Sequence, residues 1–251
     1  MKKQGMILLM VVGLLVSSLA CTVTFPSVTV DVDVETVHGS GQVTEETREV
    51  SGFSRVTLAG FGNLYIERGE TESLRIEAED NLIDYITAEV RGDELEIGWQ
   101  KGIMPITTKS INYYLTVKEL DTITLDGAGS IEAPDMRADT FRVVVNGAGD
   151  FDLKNLDADT FEVDLSGAGN VKVSGQVRKQ VIAVNALGGY EADDLDSETA
   201  TVKINGAGSA TVRVSESLDA EINGAGSVHY YGSPSVTKQI NGIGDVSKAG
   251  D

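Results

Sequence analysis

A short glycine phrase recurs along the second half of the chain and constrains its fold more than any other feature. Each copy has Asn, Asp or Ser followed by Gly-Ala-Gly, which becomes Gly-Ile-Gly in the last copy. The first glycines are 20, 20, 39, 18 and 18 residues apart, at Gly127, Gly147, Gly167, Gly206, Gly224 and Gly242. A degraded copy, 184–190, fills the longest interval. A period near twenty with short apolar runs is typical of a solenoid, whose coils bury their inward faces against one another.

Apolar and polar residues alternate on both sides of each phrase, which indicates strands with one buried face. If the coils stack in register, Val143, Val163 and Val202 form one buried column. Their neighbours Arg142 and Glu162 then face solvent. The sequence therefore predicts an all-β fold, a parallel β-helix-like solenoid with coils of about 18–20 residues.

The first half of the chain predicts strands of a less regular kind. Residues 59–63 resemble a first copy of the glycine phrase. Alternating segments at 86–90 and 95–99 flank a turn and predict an antiparallel hairpin. Residues 101–110 are expected to form a loop, and 113–117 a further strand.

The N-terminus has the pattern of an export signal. Lys2 and Lys3 precede an apolar run at 6–16, which is too short for a comfortable transmembrane helix. Residues 1–20 resemble a bacterial lipoprotein signal peptide, which implies lipid attachment at Cys21; ordinary secretory cleavage and an uncleaved anchor are the alternatives. Cys21 is the only cysteine, so no intrachain disulfide can form. The expected organisation is a signal peptide at 1–20, an acidic tether at 21–47 and a solenoid domain at 48–251.

The net charge of the chain is −19, and loss of the two signal-peptide lysines would leave 18 − 39 = −21. So strong a negative charge disfavours nucleic acid and bare anionic membranes as partners. It is also the ordinary charge of a soluble exported domain, so it identifies no partner by itself.

The residues before each Gly-Ala-Gly are side chains that bond readily to backbone at turns. Stacked at equal heights, they are predicted to form an internal ladder that stabilises the corners. The ladder residues are Asp126, Asn146, Ser166, Asn185, Asn205, Asn223 and Asn241. The alanine between the glycines is expected to fill a tight interior bend, so that Ala168→Leu would be costly.

The repeated phrase, together with the Gly52-Phe53-Ser54-Arg55-Val56 start, resembles the head GIN domain family, labelled "putative auto-transporter adhesin". The resemblance covers about residues 48–248. It implies a right-handed β-helix-like fold and an exported, often lipid-anchored protein. It supplies no catalytic residues.

No catalytic or cofactor motif stands out, and we expect no cofactor. Two histidines and one cysteine do not make a zinc site, and aspartate follows the phrase only at Asp150 and Asp245, which is weak support for calcium. Arg91-Gly92-Asp93 spells a cell-attachment tripeptide, but a hairpin turn explains it equally well.

The sequence thus predicts a non-enzymatic surface protein, held to the membrane by its lipid and facing outside the cytoplasm. It would act in adhesion or envelope interactions with a surface glycan or protein, and its oligomeric state stays open. The alternative is a carbohydrate-binding or carbohydrate-cleaving β-helix protein that uses surface carboxylates.

Overall fold

The computed structural model describes residues 34–251, which form strands and one 3-10 turn, Ile83–Tyr85. The strands of the first half are β1 Glu35–His38, β2 Val43–Arg48, β3 Arg55–Leu58, β4 Asn63–Arg68, β5 Ser73–Glu79, β6 Ile86–Arg91, β7 Glu94–Trp99, β8 Ile103–Ile106, β9 Asn112–Val117 and β10 Thr122–Leu125. Those of the second half are β11 Ala128–Glu132, β12 Arg137–Val145, β13 Ala148–Leu165, β14 Ala168–Val184, β15 Leu187–Ile204, β16 Ala207–Arg213, β17 Ser217–Ile222, β18 Ala225–Tyr231, β19 Ser235–Ile240 and β20 Ile243–Gly250. Within 34–251, no helix has the length and apolarity needed to cross a bilayer.

The repeat region is a solenoid of parallel, in-register coils, which confirms the predicted fold class. The predicted inward column is confirmed too, with Ile182 as an additional member: Val143 pairs with Val163, Val163 with Ile182, and Ile182 with Val202. All four are buried, and Val163 is 3% exposed. Arg142 is exposed on the outer face. Alternation along each strand therefore separates the core from the surface as the pattern predicts.

The glycine phrases form one stacked corner in which successive coils approach closely. The amide of Gly147 donates to the carbonyl of Leu125 in the preceding coil at 2.8 Å. A Cβ atom on Gly147 would lie 1.9 Å from the carbonyl oxygen of Gly127. Glycine is required here because a side chain would collide with the backbone of the coil beside it.

Each long coil has further corners, which divide its inward side chains into separate runs. In β13, Phe151 and Leu153 form one run, Leu156 and Ala158 a second, and a third begins at Phe161. The phase of alternation breaks between these runs, so the backbone turns there. The short middle run positions the candidate site.

The first coils do not follow chain order. Strand β3 pairs with β10 on one side and β7 on the other, and β4 lies likewise between β11 and β9. The phrase at 59–63 stacks on the next corner, where Phe61 bridges to Ala128. The predicted hairpin is confirmed as β6 and β7, and β9 is the predicted strand at 113–117. Antiparallel strands β2, β5 and β6 complete this end of the solenoid.

Two segments differ from their sequence predictions. The expected tether contains β1 and β2 within its described part, and β2 pairs with β5 along its whole length, so the folded body begins well before residue 48. The expected loop at 101–110 contains β8, which pairs with β1. Both pairings join residues at least 26 positions apart in the chain, so no local pattern reveals them.

The degraded copy keeps its register at the corner. Ala168 pairs with Leu187, and Gly169 pairs with Gly188, as in the regular copies. The irregularity comes beyond the corner, between Lys172 and Ser174, where one extra residue is accommodated in β15. This coil therefore contains a bulge, which lies away from the phrase itself.

Candidate functional site: a groove along the solenoid

The middle run of each coil lines a groove that crosses several coils. Its floor is a column of small side chains joined by parallel pairing: Ala138, Ala158, Val177 and Ser197. One rim consists of the residues that precede the floor positions: Arg137, Asp157, Gln176 and Asp196. The other rim consists of the residues that follow them: Asp139, Asp159, Arg178 and Glu198. Because neighbouring strands lie about 4.8 Å apart, the rims present charged groups at regular intervals along the axis.

Ion pairs across the coils order the two rims. Arg178 contacts Asp159 through two atoms: Nε lies 2.9 Å from Oδ1, and Nη2 lies 2.9 Å from Oδ2. This hydrogen-bonded pair lowers the pKa of Asp159 and raises the pKa of Arg178. On the other rim, Arg137 Nε lies 3.9 Å from Asp157 Oδ2. These side chains are more than half exposed or nearly so, so their pairing orders the rim and contributes little to stability.

The groove continues in both directions along the stack. Its central cavity has a volume of about 590 Å³. A cavity of about 720 Å³ adjoins it at Arg137, Ala138 and Asp139, and one of about 400 Å³ adjoins it at Gln176 and Val177. Together the three cavities are lined by five arginines: Arg68, Arg137, Arg142, Arg178 and Arg213. Eight carboxylates line the same three cavities, so the groove is mixed in charge.

The groove combines a floor that is apolar except for Ser197 with rims that contain both donors and acceptors. Guanidinium groups donate several hydrogen bonds in a fixed plane, and carboxylates accept them. Such rims suit a polar, extended ligand lying along the axis. Arg178 lowers the pKa of Asp159, so the Asp159 carboxylate stays ionised in the groove.

The residues of the predicted corner ladder lie along one edge of the stack, and most are bonded to a neighbour. The amide groups donate as follows: Asn146 to Asp126 at 2.7 Å, Asn205 to Asn185 at 2.7 Å, Asn223 to Asn205 at 3.0 Å and Asn241 to Asn223 at 2.8 Å. Asn185 donates to Asp164 at 3.0 Å and to Ser166 at 3.4 Å. Every ladder residue is exposed, so the predicted internal position is wrong. The preceding residue, such as Leu125, points inward, and alternation turns the next one outward.

The alanines of the phrase are also on the surface, which corrects the prediction of a tight interior bend. Ala128, Ala148 and Ala168 are exposed. Larger residues already occupy the same row, namely Leu187 at 65% exposure and Ile243 at 81%. The steric restriction at this corner belongs to the flanking glycines, whose Cα atoms face the neighbouring backbone.

The remaining predicted sites lie elsewhere. Cys21 and the signal segment fall outside the described residues. Asp150 accepts hydrogen bonds from the backbone and the side-chain amide of Asn170, both at 3.0 Å. Within 34–251, no group of three or more His, Cys, Asp or Glu side chains is arranged to hold a metal ion. Gly92 takes a φ of 67° in the turn between β6 and β7, as the hairpin interpretation of Arg91-Gly92-Asp93 requires.

The sequence alone does not distinguish Asp157 and Asp159 from the carboxylates of a solvated face, so it does not predict the groove. One signal was available: Asp157 and Asp159 follow Gly147 by the interval that separates Arg137 and Asp139 from Gly127. Aligning the copies beyond the glycine phrase would have shown that charged rims recur. The concavity itself depends on where the coil bends.

A parallel β-solenoid with an open, charged groove along its length defines a class of repeat proteins that offer extended binding surfaces. The chain belongs to the family described as "Putative auto-transporter adhesin, head GIN domain", whose model matches residues 52–234.

Solved structures show the same fold. A crystal structure of a "putative adhesin" from Bacteroides fragilis NCTC 9343 is 24% identical, with a TM-score of 0.81, and the match covers 84% of this chain and 99% of that one. A "putative lipid binding protein" from Parabacteroides distasonis ATCC 8503 is 21% identical, with a TM-score of 0.69, and the match covers 86% of this chain and 100% of that one. At these identities the likeness concerns the fold alone. No curated protein matches the chain.

Proposed function

We propose that this protein is an exported, non-enzymatic adhesin-like module, held to the membrane by a lipid on Cys21 and facing outside the cytoplasm. The observation that carries the proposal is the charged groove along the solenoid, which is open to solvent over several coils. Membership of the adhesin family supports an adhesin-like role. The groove would contact a surface glycan or protein of extended shape through its arginine and carboxylate rims.

The alternative is a carbohydrate-cleaving protein that uses the groove carboxylates, and Asp139, Asp157 and Asp159 are the observation in its favour. Glycoside hydrolysis needs one carboxylic acid with a raised pKa to protonate the leaving group. Asp159 has the opposite tendency, because Arg178 lowers its pKa. The open, ion-paired rims therefore favour binding over cleavage.

The anchor is tested with Cys21→Ala. We expect the wild-type chain to incorporate radiolabelled fatty acid and to remain with the membranes, whereas the variant should be unlabelled and released. An unlabelled wild-type chain that remains membrane-bound with its N-terminus uncleaved would point to residues 6–16 as the anchor instead.

The adhesive role is tested by cell attachment of the purified chain. The double variant Arg137→Ala/Arg178→Ala should attach more weakly, because both rims lose their guanidinium groups. Lys203→Ala is the matched control, since Lys203 is also an exposed, ion-paired cation but does not line the groove. Equal attachment by all three proteins would exclude the groove as the attachment surface. Release of sugar products from a glycan substrate would exclude the non-enzymatic assignment.

A further inference from the structure

A second concave surface lies outside the groove, on the strands that follow the glycine corner. It is centred on two outward-facing tyrosines, Tyr65 of β4 and Tyr114 of β9, which are directly paired in the parallel ladder. Their ring centroids are 5.2 Å apart, and the ring planes differ by 19°. The two rings therefore form a stacked platform on the outside of the sheet.

The outer end of this platform is closed by a cation. The guanidinium carbon of Arg75 lies 3.8 Å from the centroid of the Tyr114 ring. Arg75 is held in turn by Glu45, with Nη1 2.9 Å from Oε1. Tyr114 is thus covered by Arg75 on one face and by Tyr65 on the other, so neither of its faces can receive a ligand.

Tyr65 differs, because only one of its faces is covered by a ring. On the side away from Tyr114, the ladder continues to Glu132 of β11. Glu132 is exposed, and it lies at one end of a cavity of about 470 Å³ that runs past Tyr65 and Glu67 to Tyr114 and Arg75 at the other end. That volume lies within the range of about 300–1,000 Å³ typical of ligand clefts.

The polar groups around Tyr65 are the hydroxyls of Thr47, Ser73 and Thr116, which both donate and accept, and two carboxylates, which only accept. Glu67 accepts a hydrogen bond from the Thr116 hydroxyl at 3.1 Å and keeps lone pairs for others. Glu132 adds a second carboxylate, whereas the nearby cations are already paired, Arg75 with Tyr114 and Glu45 and Lys154 with Asp152. The cavity therefore favours a ligand that donates many hydrogen bonds and carries no negative charge.

We propose that this surface binds one pyranose ring of a neutral glycan. The C–H groups of a pyranose carry slight positive charge and pack against the negative face of an aromatic ring, here Tyr65. Its hydroxyl groups then donate to Glu132 and Glu67. The inference rests on the proposed function, because a protein outside the cytoplasm meets surface glycans, and it names the ligand class at a site separate from the groove.

The test is isothermal titration calorimetry of the purified full-length chain. The ligands are unbranched neutral hexasaccharides of glucose, mannose and galactose. Hexagalacturonate is the anionic comparator. Tyr65→Ala should weaken binding of the neutral sugar at least about fivefold, and Glu132→Gln about threefold. Tyr231→Ala is the matched control, since Tyr231 also lies beside an arginine, with Arg213 4.9 Å from its ring centroid, on a distant strand.

The proposal is supported if one neutral hexasaccharide binds saturably and its affinity falls in both Tyr65→Ala and Glu132→Gln, but not in Tyr231→Ala. Glu132→Gln is a surface change that keeps side-chain size, so the test does not depend on Tyr65→Ala folding normally. Absence of binding by all three sugars, stronger binding of hexagalacturonate, or loss only in Tyr231→Ala would overturn it. Because the measurement is made in solution, its failure leaves export and groove-mediated attachment standing.

Discussion

The phenolic hydroxyl of Tyr190 donates to Oε1 of Gln180 at 2.7 Å, in the interior of the coil stack. Gln180 is fully buried and replaces the aromatic residue that Phe161 contributes in the preceding coil. Its Nε2 donates to Ser197 Oγ at 2.9 Å, and the Ser197 hydroxyl donates to the carbonyl of Arg213 at 2.6 Å. Two successive coils therefore share a small polar network within an otherwise apolar core, and each side chain of the network has a partner.

This network predicts an asymmetric response to substitution. Tyr190→Phe should destabilise the fold by about 1–3 kcal/mol, because it leaves Oε1 of Gln180 buried without its donor. The double variant Gln180→Leu/Tyr190→Phe should recover part of the loss, since both polar partners are then absent. Denaturant unfolding of both variants gives the comparison, with Tyr231→Phe on the surface as the control. A double variant less stable than Tyr190→Phe would contradict the network's proposed energetics.

The inward column supports a second prediction. Val163→Lys should cost roughly 3–5 kcal/mol, because a buried charge has no partner among Val143, Ile182 and the other inward side chains. Glu162→Lys should change the free energy of unfolding by no more than about 0.5 kcal/mol, since Glu162 faces outward. Thermal melts decide the matter. Tolerance at 163 together with a severe loss at 162 would reverse the two faces.

The glycine corner predicts opposite outcomes for a glycine and an alanine in successive copies of the phrase. Gly147→Ala should be destabilising by at least the roughly 1–3 kcal/mol of an overpacked core, because its Cβ would meet the Gly127 carbonyl oxygen at 1.9 Å. Ala168→Leu should stay within about 0.5 kcal/mol, because Ala168 is exposed and Leu187 occupies the same row. Chemical denaturation of the two variants measures the difference, and a costly Ala168→Leu would show that this row is packed.

Acidification should weaken the N-terminal end of the solenoid through Glu79. Burial by itself raises the pKa of Glu79, but hydrogen bonds from Thr108, Thr107 and Gly41 outweigh it and lower the pKa from 4.5 to about 2. A carboxyl whose pKa is lower in the folded state contributes stability that is complete above its unfolded pKa and is lost as the pH falls through the folded value. The loss should therefore occur between pH 4.5 and about 2.

The measurement is the free energy of unfolding as a function of pH. Glu79→Gln should be less stable at neutral pH and should show a flatter profile below pH 4.5, because the titrating group is gone. Glu70→Gln, at an exposed position, is the control and should follow the wild-type profile. An unchanged acid profile in Glu79→Gln would assign the pH dependence to other carboxyls.

Much of the fold was predictable because the coils repeat. Each copy of the phrase marks a corner, and alternation around it assigns Val143 and Val163 to the core. The same alternation continues through the phrase and, because Val145 points inward, it places Asn146 and Ala148 on the outside. Their predicted interior position is therefore wrong for a reason that the sequence itself contains. Gln180 could also have been found, since it lies five residues before Asn185, as Phe161 lies five before Ser166.

The sequence by itself determined the solenoid, its period and its inward columns, because these depend on local alternation repeated at a fixed interval. Only the tertiary structure decided that β3 lies between β7 and β10, that β4 lies between β9 and β11, and that β2 joins β5. It also decided that charged residues of successive coils form a groove and that Tyr65 meets Tyr114. These features depend on contacts between segments far apart in the chain, whose pairing is chosen by the free energy of the whole fold and leaves no periodic trace in the sequence.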